Sequence, residues 1–230
     1  MRSISASKPG WCAMVESRKI PKLWGARNSG HSYKARMFLM LASVPHEYQA
    51  VDLAAPRHQR PAEFQQLAKF GEVPVLQHGL QVLVQSNAIL LYLAREYDRF
   101  TVSGKAGMDE ITSWLFWEAN RIGRSYPNLR YCRLFDASAD KGLVGWFEET
   151  CAADLARLDA QLEGRNFLLG EMTIADLSCA GYLLYGDDPQ LDLTPFANVS
   201  AWLDRIRAQP GWRHPLEVMG SLEGIGEAQA

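Results

Sequence analysis

The stretch GEVPVLQHGLQVLVQSNAIL, residues 71–90, holds two short runs rich in valine and leucine, followed by a Gln-Ser pair. The two runs predict a β-hairpin. After Ser86, Ile89, Leu90, Leu93 and Tyr97 follow the spacing i, i+1, i+4 and i+8, which predicts a helix. Pro74 stands between two valines at the start of the first run. Proline has no backbone N–H and cannot donate a hydrogen bond to a neighbouring strand. The presence of Pro74 at this position therefore needs a reason other than strand formation.

The sequence before this stretch alternates between strand-like and helix-like periods. Strands are predicted for KIPKLWG and HEYQAVDL, and helices for SYKARMFLMLAS and for PAEFQQLAKF, the latter beginning with Pro61. With the hairpin and the helix after it, the order is βαβαββα. This order predicts a two-layer α/β domain over residues 19–98.

Strand patterns disappear after a polar linker, residues 99–108, that contains two glycines. An aromatic-rich helix begins near Ile111, and a long amphipathic helix runs from Val144 to Leu162. Two further helices are predicted for MTIADLSCAGYLLY and NVSAWLDRIRAQP. In the first of these, Thr173 and Asp176 have the spacing of a capping box. Residues 109–220 are therefore predicted to be all-helical, with a short tail over 221–230.

The amino-acid composition and net charge indicate what kind of molecule the protein binds. The 230 residues are 47% hydrophobic, and 24 basic and 26 acidic side chains leave a formal charge of -2. This balance does not favour nucleic acid or an anionic membrane as the main partner, and it favours a small ligand. We expect residues 1–18 to be a mobile leader, because they lack the apolar run of a secretory signal. No stretch approaches the roughly 20 apolar residues of a membrane span.

Cysteines and histidines show no spacing typical of a metal site or a disulfide framework. The cysteines are Cys12, Cys132, Cys151 and Cys179. The histidines are His31, His46, His58, His78 and His214. We therefore expect no metal and a reducing, cytoplasmic location.

Five motifs together resemble the cytosolic glutathione S-transferase family, and the likeness extends from Lys19 to Pro215. They are LWGARNSGHSYKARMFLMLA, FGEVPVL, QSNAILLYLA, MTIADLS and FANVSAWLDRIRAQP. The first is similar to the catalytic loop of the serine-type bacterial members. The resemblance implies a thioredoxin-like domain joined to a helix bundle, a homodimer, and glutathione as co-substrate without another cofactor.

The same resemblance offers an explanation for Pro74. In the family the Val-Pro bond is cis, and it turns the backbone of the valine, here Val73, toward the cysteinyl part of glutathione. Ser86 at the start of a helix is then the site of the γ-glutamyl carboxylate, which a hydroxyl, free amides and the helix dipole attract. Gln85 occupies the position that helps to hold the ammonium group.

The resemblance also points to Ser29 as the hydroxyl that stabilises the glutathione thiolate. A thiol with a pKa near 8.5 is only slightly ionised at neutral pH, so a donor near the first helix is needed. Gly30 is expected to let the sulfur approach the backbone. Other residues of the same turn remain alternatives as donors: Asn28, His31, Ser32 and Tyr33.

One departure from the family pattern concerns the glycine end of glutathione. Glu72 stands where glutamine or lysine is frequent, and its charge is expected to repel the glycine carboxylate. Lys69, Arg57 or Arg60 would have to compensate for this charge.

The leading functional hypothesis is a glutathione transferase that attaches the thiolate to a hydrophobic electrophile. The helical domain is expected to wall the electrophile pocket, and its candidate residues for aromatic surface and a cation, none assigned an individual contact, are Trp114, Trp117, Arg121, Tyr126 and Tyr185. One alternative is glutathione-dependent disulfide or peroxide reduction, and another is a non-catalytic binding or regulatory protein with the same fold.

Overall fold

The computed structural model describes residues 20–186 and 191–220. The predicted leader, residues 1–18, and the predicted tail, residues 221–230, lie outside the described residues. Within the described part, no helix combines the length and the apolar character that crossing a membrane requires.

The first domain has the predicted order βαβαββα. Its elements are β1 (Lys22–Gly25), α1 (Gly30–Leu41), β2 (Glu47–Ala50), α2 (Ala62–Leu67), β3 (Val75–His78), β4 (Gln81–Val84) and α3 (Ser86–Tyr97). The strands form one sheet in the order β2-β1-β3-β4, with β1 and β2 parallel and the other pairs antiparallel. This is the thioredoxin-like arrangement. Pro61 is the N-cap residue of α2, not its first helical residue.

Alternation along β1 and β3 separates the two faces of the sheet. Leu23 lies opposite Leu76, and both belong to the large core that includes α1 and α3. Trp24 lies opposite Val75, and both pack with Phe64 of α2 in a smaller core on the other face. The sheet is therefore covered on both faces, by α1 and α3 on one and by α2 on the other, whereas the element order predicts two layers.

Pro74 lies one residue before β3, and the Val73–Pro74 peptide bond is cis. The strand ladder begins at Val75, so the missing amide of Pro74 removes no hydrogen bond from the sheet.

The second domain is helical. Its elements are α4 (Lys105–Asn120), α5 (Ile122–Phe135), α6 (Lys141–Gln161), α7 (Ile174–Ala180), α8 (Ala197–Arg207) and α9 (Pro215–Val218). Helix α4 begins inside the predicted linker, directly after Gly104, which has a positive φ of 86°. Helix α5 is absent from the sequence prediction. It contains Pro127 and a weak apolar pattern, which conceal it in the sequence.

The predicted capping box at the start of α7 is present. The Thr173 hydroxyl accepts from the Ala175 amide, and Asp176 Oδ2 accepts from the Thr173 amide at 2.8 Å. Asp176 Oδ1 also accepts from the Leu168 amide and from Trp202 Nε1 of α8, both at 2.9 Å. One buried carboxylate therefore connects α7 to α8 and to the chain before it. Ile174 and Leu177 of α7 are buried in the core.

A buried ion pair joins the two domains. Lys34 Nζ of α1 donates to Glu118 Oε2 of α4 at 2.9 Å and to Asn87 Oδ1 of α3 at 2.7 Å. Lys34 Nζ also donates to Ser178 Oγ of α7 at 3.0 Å. Removal of one partner from such a pair leaves an uncompensated buried charge, which costs about 3–5 kcal/mol. The cluster therefore holds α1 and α3 against α4 and α7.

We predict that Asp176→Ala lowers the free energy of unfolding by at least about 3 kcal/mol, because it leaves buried N–H donors without an acceptor. Chemical denaturation measures this quantity. Asp140→Ala is the matched control: Asp140 caps α6 at the surface by accepting only from the Leu143 amide, and its loss should cost about 1 kcal/mol. Equal losses in the two variants would contradict the prediction.

Candidate active site

A cavity of about 1140 Å³ lies between the two domains. The first domain contributes the loops after β1 and β2, the turn before β3 and the start of α3, and the second domain contributes α4, Phe135 and Tyr182. Most of the residues predicted for the site line this cavity: Asn28, Ser29, His31, Glu72, Val73, Pro74, Gln85 and Ser86. The fold thus brings three separate motifs to one cleft.

Ser29 is the N-cap of α1, a position that serine favours. Its Oγ accepts from the Ser32 amide and from the Ser32 hydroxyl, both at 3.1 Å. The side chain is nearly buried, with 9% exposure, yet it reaches the cavity. It therefore lies at the positive end of the α1 dipole, where a negative charge is stabilised.

Asn28 is held from the second domain. Arg130 of α5 donates to the Asn28 carbonyl at 3.1 Å and to Asn28 Oδ1 at 3.4 Å. The guanidinium of Arg130 also lies 4.6 Å from the ring centre of Tyr185. Arg130 thus orients the loop that carries Ser29. It was missed in the sequence because it lies in the helix that was not predicted.

His31 is neutral at neutral pH. Its pKa is lowered to about 4, because burial and the charge of Lys34 outweigh the carboxylate of Glu118 and the backbone of Gly123. His31 Nδ1 lies 3.9 Å from Glu118 Oε1. Glu118 itself remains ionised: burial alone would raise its pKa, but Lys34, His31 and Asn87 together lower it.

Tyr33 lies away from the cavity. Its ring is buried, and its hydroxyl donates to the Arg213 carbonyl at 2.8 Å. Another tyrosine, Tyr182, lies beside the loop that carries Ser29. A side chain at Gly30 would meet the Tyr182 ring within 2.4 Å, so the space at Gly30 serves this ring and is not open to a sulfur atom, contrary to the expectation from the sequence.

Ser86 is the first residue of α3, and the N-cap position belongs to Gln85. Gln85 has a positive φ of 70° and makes no side-chain cap bond. The cavity is lined by Ser86, Asn87 and Ala88, the first turn of α3. The first amides of a helix have no acceptor within the helix, so this end of α3 suits an anion.

Charged side chains lie beside the start of α3 and the turn before β3. Gln85 Nε2 donates to Glu72 Oε2 at 3.2 Å, which holds both residues at the rim. The guanidinium of Arg60 donates hydrogen bonds to three backbone carbonyls, those of Leu53, Ala55 and Gly71. Lys69 Nζ lies 5.2 Å from the Phe70 ring centre and does not line the cavity. Arg57 lines the cavity next to Gly71, and it is the cation best placed to oppose Glu72.

The second domain forms an apolar wall from one face of α4. The residues on this face are spaced i, i+3, i+4 and i+7: Thr112, Leu115, Phe116 and Ala119. Phe116 and Phe135 are 72% and 52% exposed, which leaves their rings open to a ligand. The residues considered from the sequence do not line the cavity, since they lie on other faces or are buried: Trp114, Trp117, Arg121, Tyr126 and Tyr185.

Cysteines do not reach the cavity in the part of the chain that the structure describes. Cys132, Cys151 and Cys179 lie in α5, α6 and α7. Burial raises the pKa of Cys151 to about 11, and burial also raises the pKa of Cys179 well above its usual value. Among the residues of 20–186 and 191–220, no group of three or more histidine, cysteine or acidic side chains is arranged to hold a metal ion.

Comparisons with known proteins agree with this geometry. The family model of the glutathione S-transferase N-terminal domain matches residues 21–95, and that of the C-terminal domain matches residues 141–210. Glutathione S-transferase F9 of Arabidopsis thaliana is 28% identical over 192 residues, covering 78% of this chain and 89% of that protein. The disulfide-bond oxidoreductase YfcG of Escherichia coli is 27% identical over 192 residues, covering 78% of this chain and 87% of that protein.

A solved structure shows the same architecture. The glutathione S-transferase from Pseudomonas fluorescens superposes with a TM-score of 0.78 and 26% identity, covering 86% of this chain and all of that one. Both domains and their order are thus shared with that protein. The chain belongs to the glutathione S-transferase family.

Proposed function

We propose that the protein is a glutathione transferase, which ionises glutathione and attaches its thiolate to a hydrophobic electrophile. One observation carries this proposal: the N-cap Ser29, the Val73–Pro74 turn and the uncapped start of α3 converge on one cavity with an apolar wall. A tripeptide thiol with a carboxylate at each end matches these three features.

The first domain binds glutathione in this proposal. The backbone of Val73 pairs with the cysteinyl unit as an added strand would. The hydroxyl of Ser86 and the first amides of α3 hold the γ-glutamyl carboxylate, and Gln85 accepts a hydrogen bond from the neighbouring ammonium group. Arg57 attracts the glycine carboxylate and offsets the charge of Glu72.

Ser29 promotes ionisation of the thiol. Its Oγ accepts two hydrogen bonds from Ser32, so its own proton is left to donate. Donation to a thiolate is charge-assisted, and the dipole of α1 acts in the same direction. A decrease of two units in the thiol pKa would correspond to about 2.7 kcal/mol of stabilisation of the thiolate.

The bond-forming step takes place against the second domain. The thiolate sulfur attacks an electrophilic carbon, the sulfur–carbon bond forms, and the leaving group departs with the electron pair of its bond. The thiol proton has passed to solvent before the attack. Phe116 and Phe135 offer exposed ring surface to a flat apolar substrate. The protein acts by holding the two reactants together and by stabilising the charge.

Glutathione-dependent disulfide or peroxide reduction is the second candidate. It is favoured by the similarity to a protein named disulfide-bond oxidoreductase, and by the distance of the described cysteines from the cavity, so that glutathione would supply both thiols. Parallel assays with an aryl halide and with a mixed disulfide separate the two activities. If calorimetry detects no glutathione binding at millimolar concentration, the chain is a binding or regulatory protein and both enzymatic proposals fail.

We also propose a cytoplasmic homodimer with a glutathione-binding domain over residues 19–98 and a helical domain that begins with α4 at Lys105 and extends to residue 220. The family resemblance and the near-neutral composition support this assembly. Sedimentation at several protein concentrations tests the oligomeric state.

Ser29→Ala is expected to lower turnover at neutral pH at least about tenfold and to raise the pKa of bound glutathione by about one unit or more. The reason is the loss of a donor to the thiolate. Thiolate absorbance of the glutathione complex, measured across a pH series, gives the pKa. Ser113→Ala removes an exposed hydroxyl of α4 outside the cavity and is the control. An unshifted pKa in Ser29→Ala would contradict the assignment and move the role to Asn28 or His31.

Ser86→Ala is expected to weaken glutathione binding about tenfold, because a hydrogen bond to a charged group contributes about 1.5–3 kcal/mol. Turnover at saturating glutathione should change little, since the carboxylate is distant from the sulfur. Calorimetry gives the affinity, and steady-state kinetics separates KM from kcat. An unaltered affinity would remove Ser86 from the binding site.

Glu72→Gln and Arg57→Gln are expected to act in opposite directions. Removal of the carboxylate should tighten glutathione binding about threefold, and removal of the guanidinium should weaken it by a similar factor, as exposed charges contribute modestly. Both effects should fall with added salt. Glu110→Gln, an exposed residue of α4 outside the cavity, is the control for Glu72→Gln. Two shifts of the same sign would show that these charges do not face the glycine carboxylate.

A further inference from the structure

The first turn of α1 is in close contact with the segment that follows α7. A side chain at Gly181 would meet the Gly30 carbonyl oxygen at 2.8 Å, and one at Gly30 would meet the ring of Tyr182 at 2.4 Å. Two glycines therefore allow the backbones of the two domains to approach each other here. This contact fixes Tyr182 directly against the catalytic loop.

The ring of Tyr182 is held in one orientation. It makes an edge-on contact with His31 at 5.0 Å between ring centres and stacks with Tyr185 at 6.3 Å. The residue is half-buried and lines the cavity together with Ser29 and Asn28. A tyrosine whose ring is fixed and lines the cavity beside Ser29 can donate a hydrogen bond to a ligand there.

The hydroxyl of Tyr182 lies close enough to the side chain of Ser29 and the backbone of Gly30 for both to act on its pKa. Burial raises the pKa of Tyr182, and Ser29, the charge of Arg130 and the Gly30 backbone only partly oppose the shift. The hydroxyl therefore keeps its proton at neutral pH and is a donor. A protonated phenol can donate one hydrogen bond, and this ring lines the cavity beside Ser29.

We propose that Tyr182 supplies a second hydroxyl donor to the glutathione sulfur, beside Ser29 and from the opposite domain. This inference rests on the proposed function. In this proposal both domains contribute to the thiolate site. The first domain contributes Ser29 and the dipole of α1, and the second contributes Tyr182 from the segment after α7. Two charge-assisted hydrogen bonds stabilise the thiolate more than one.

Tyr182→Phe tests this inference, because it retains the ring and removes only the oxygen. We expect the pKa of bound glutathione to rise by about one unit, and conjugation of an aryl halide at neutral pH to slow about tenfold. The rate deficit should shrink as the pH is raised, since the thiol then ionises without help. A purely structural role of the hydroxyl would not produce this dependence on pH.

The matched control is Tyr92→Phe, which removes a hydroxyl bonded to His78 Nδ1 at 2.7 Å, outside the cavity. It should leave both the thiol pKa and the rate unchanged. Thermal unfolding of both variants shows that the fold is retained. The double variant of Ser29→Ala and Tyr182→Phe should raise the thiol pKa beyond either single variant, as expected for two donors to one atom.

The possible failures are distinguishable. If the wild type binds and ionises glutathione and Ser29→Ala raises the thiol pKa, an unchanged pKa in Tyr182→Phe overturns the role of Tyr182 alone. If the wild type neither binds glutathione nor lowers its thiol pKa, the proposed function and this inference fall together. A slower rate with an unchanged thiol pKa at every pH also contradicts the inference, because it indicates displacement of the electrophile.

Discussion

The buried ion pair of Lys34 and Glu118 is the interaction on which the geometry of the cleft depends. It lies where four helices from two domains meet, and each charge is surrounded by partners that compensate for its loss of water. A hydrophobic contact of the same size would be less directional. Together with the apolar core that these helices share, the pair holds α1 and α3 against α4, and Asn87 and Glu118 of this cluster line the cavity.

The same pair influences the chemistry near it. Its lysine helps to keep His31 neutral, so the cleft beside the catalytic loop does not carry an extra imidazolium charge. The positive character of the proposed thiolate site thus comes from helix ends and from N–H and O–H donors. These are fixed dipoles that need no reorganisation when a thiolate forms. Arg130 contributes by orienting the loop through Asn28 from the second domain.

Much of the fold could be predicted because it depends on local patterns. Period-two runs identified β3 and β4, and apolar spacing identified α3 and α6. The Thr173–Asp176 spacing identified the start of α7, because a capping box is made by residues close in sequence. Helix α5 was missed because its apolar pattern is weak and because Pro127 lies inside it. The apolar wall of the cavity is formed by a different face of α4 from the one that carries Trp114 and Trp117.

The sequence by itself determined most of the secondary structure, the order of the domains and the motifs around Ser29 and at the helix start of Ser86. These features follow from contacts within one or two turns of chain. Only the tertiary structure decided that Tyr182 and Arg130 meet the loop around Ser29, and that Gly30 accommodates a ring. Such contacts join residues about 100 or more positions apart, and their positions depend on how whole helices pack, which no local pattern encodes.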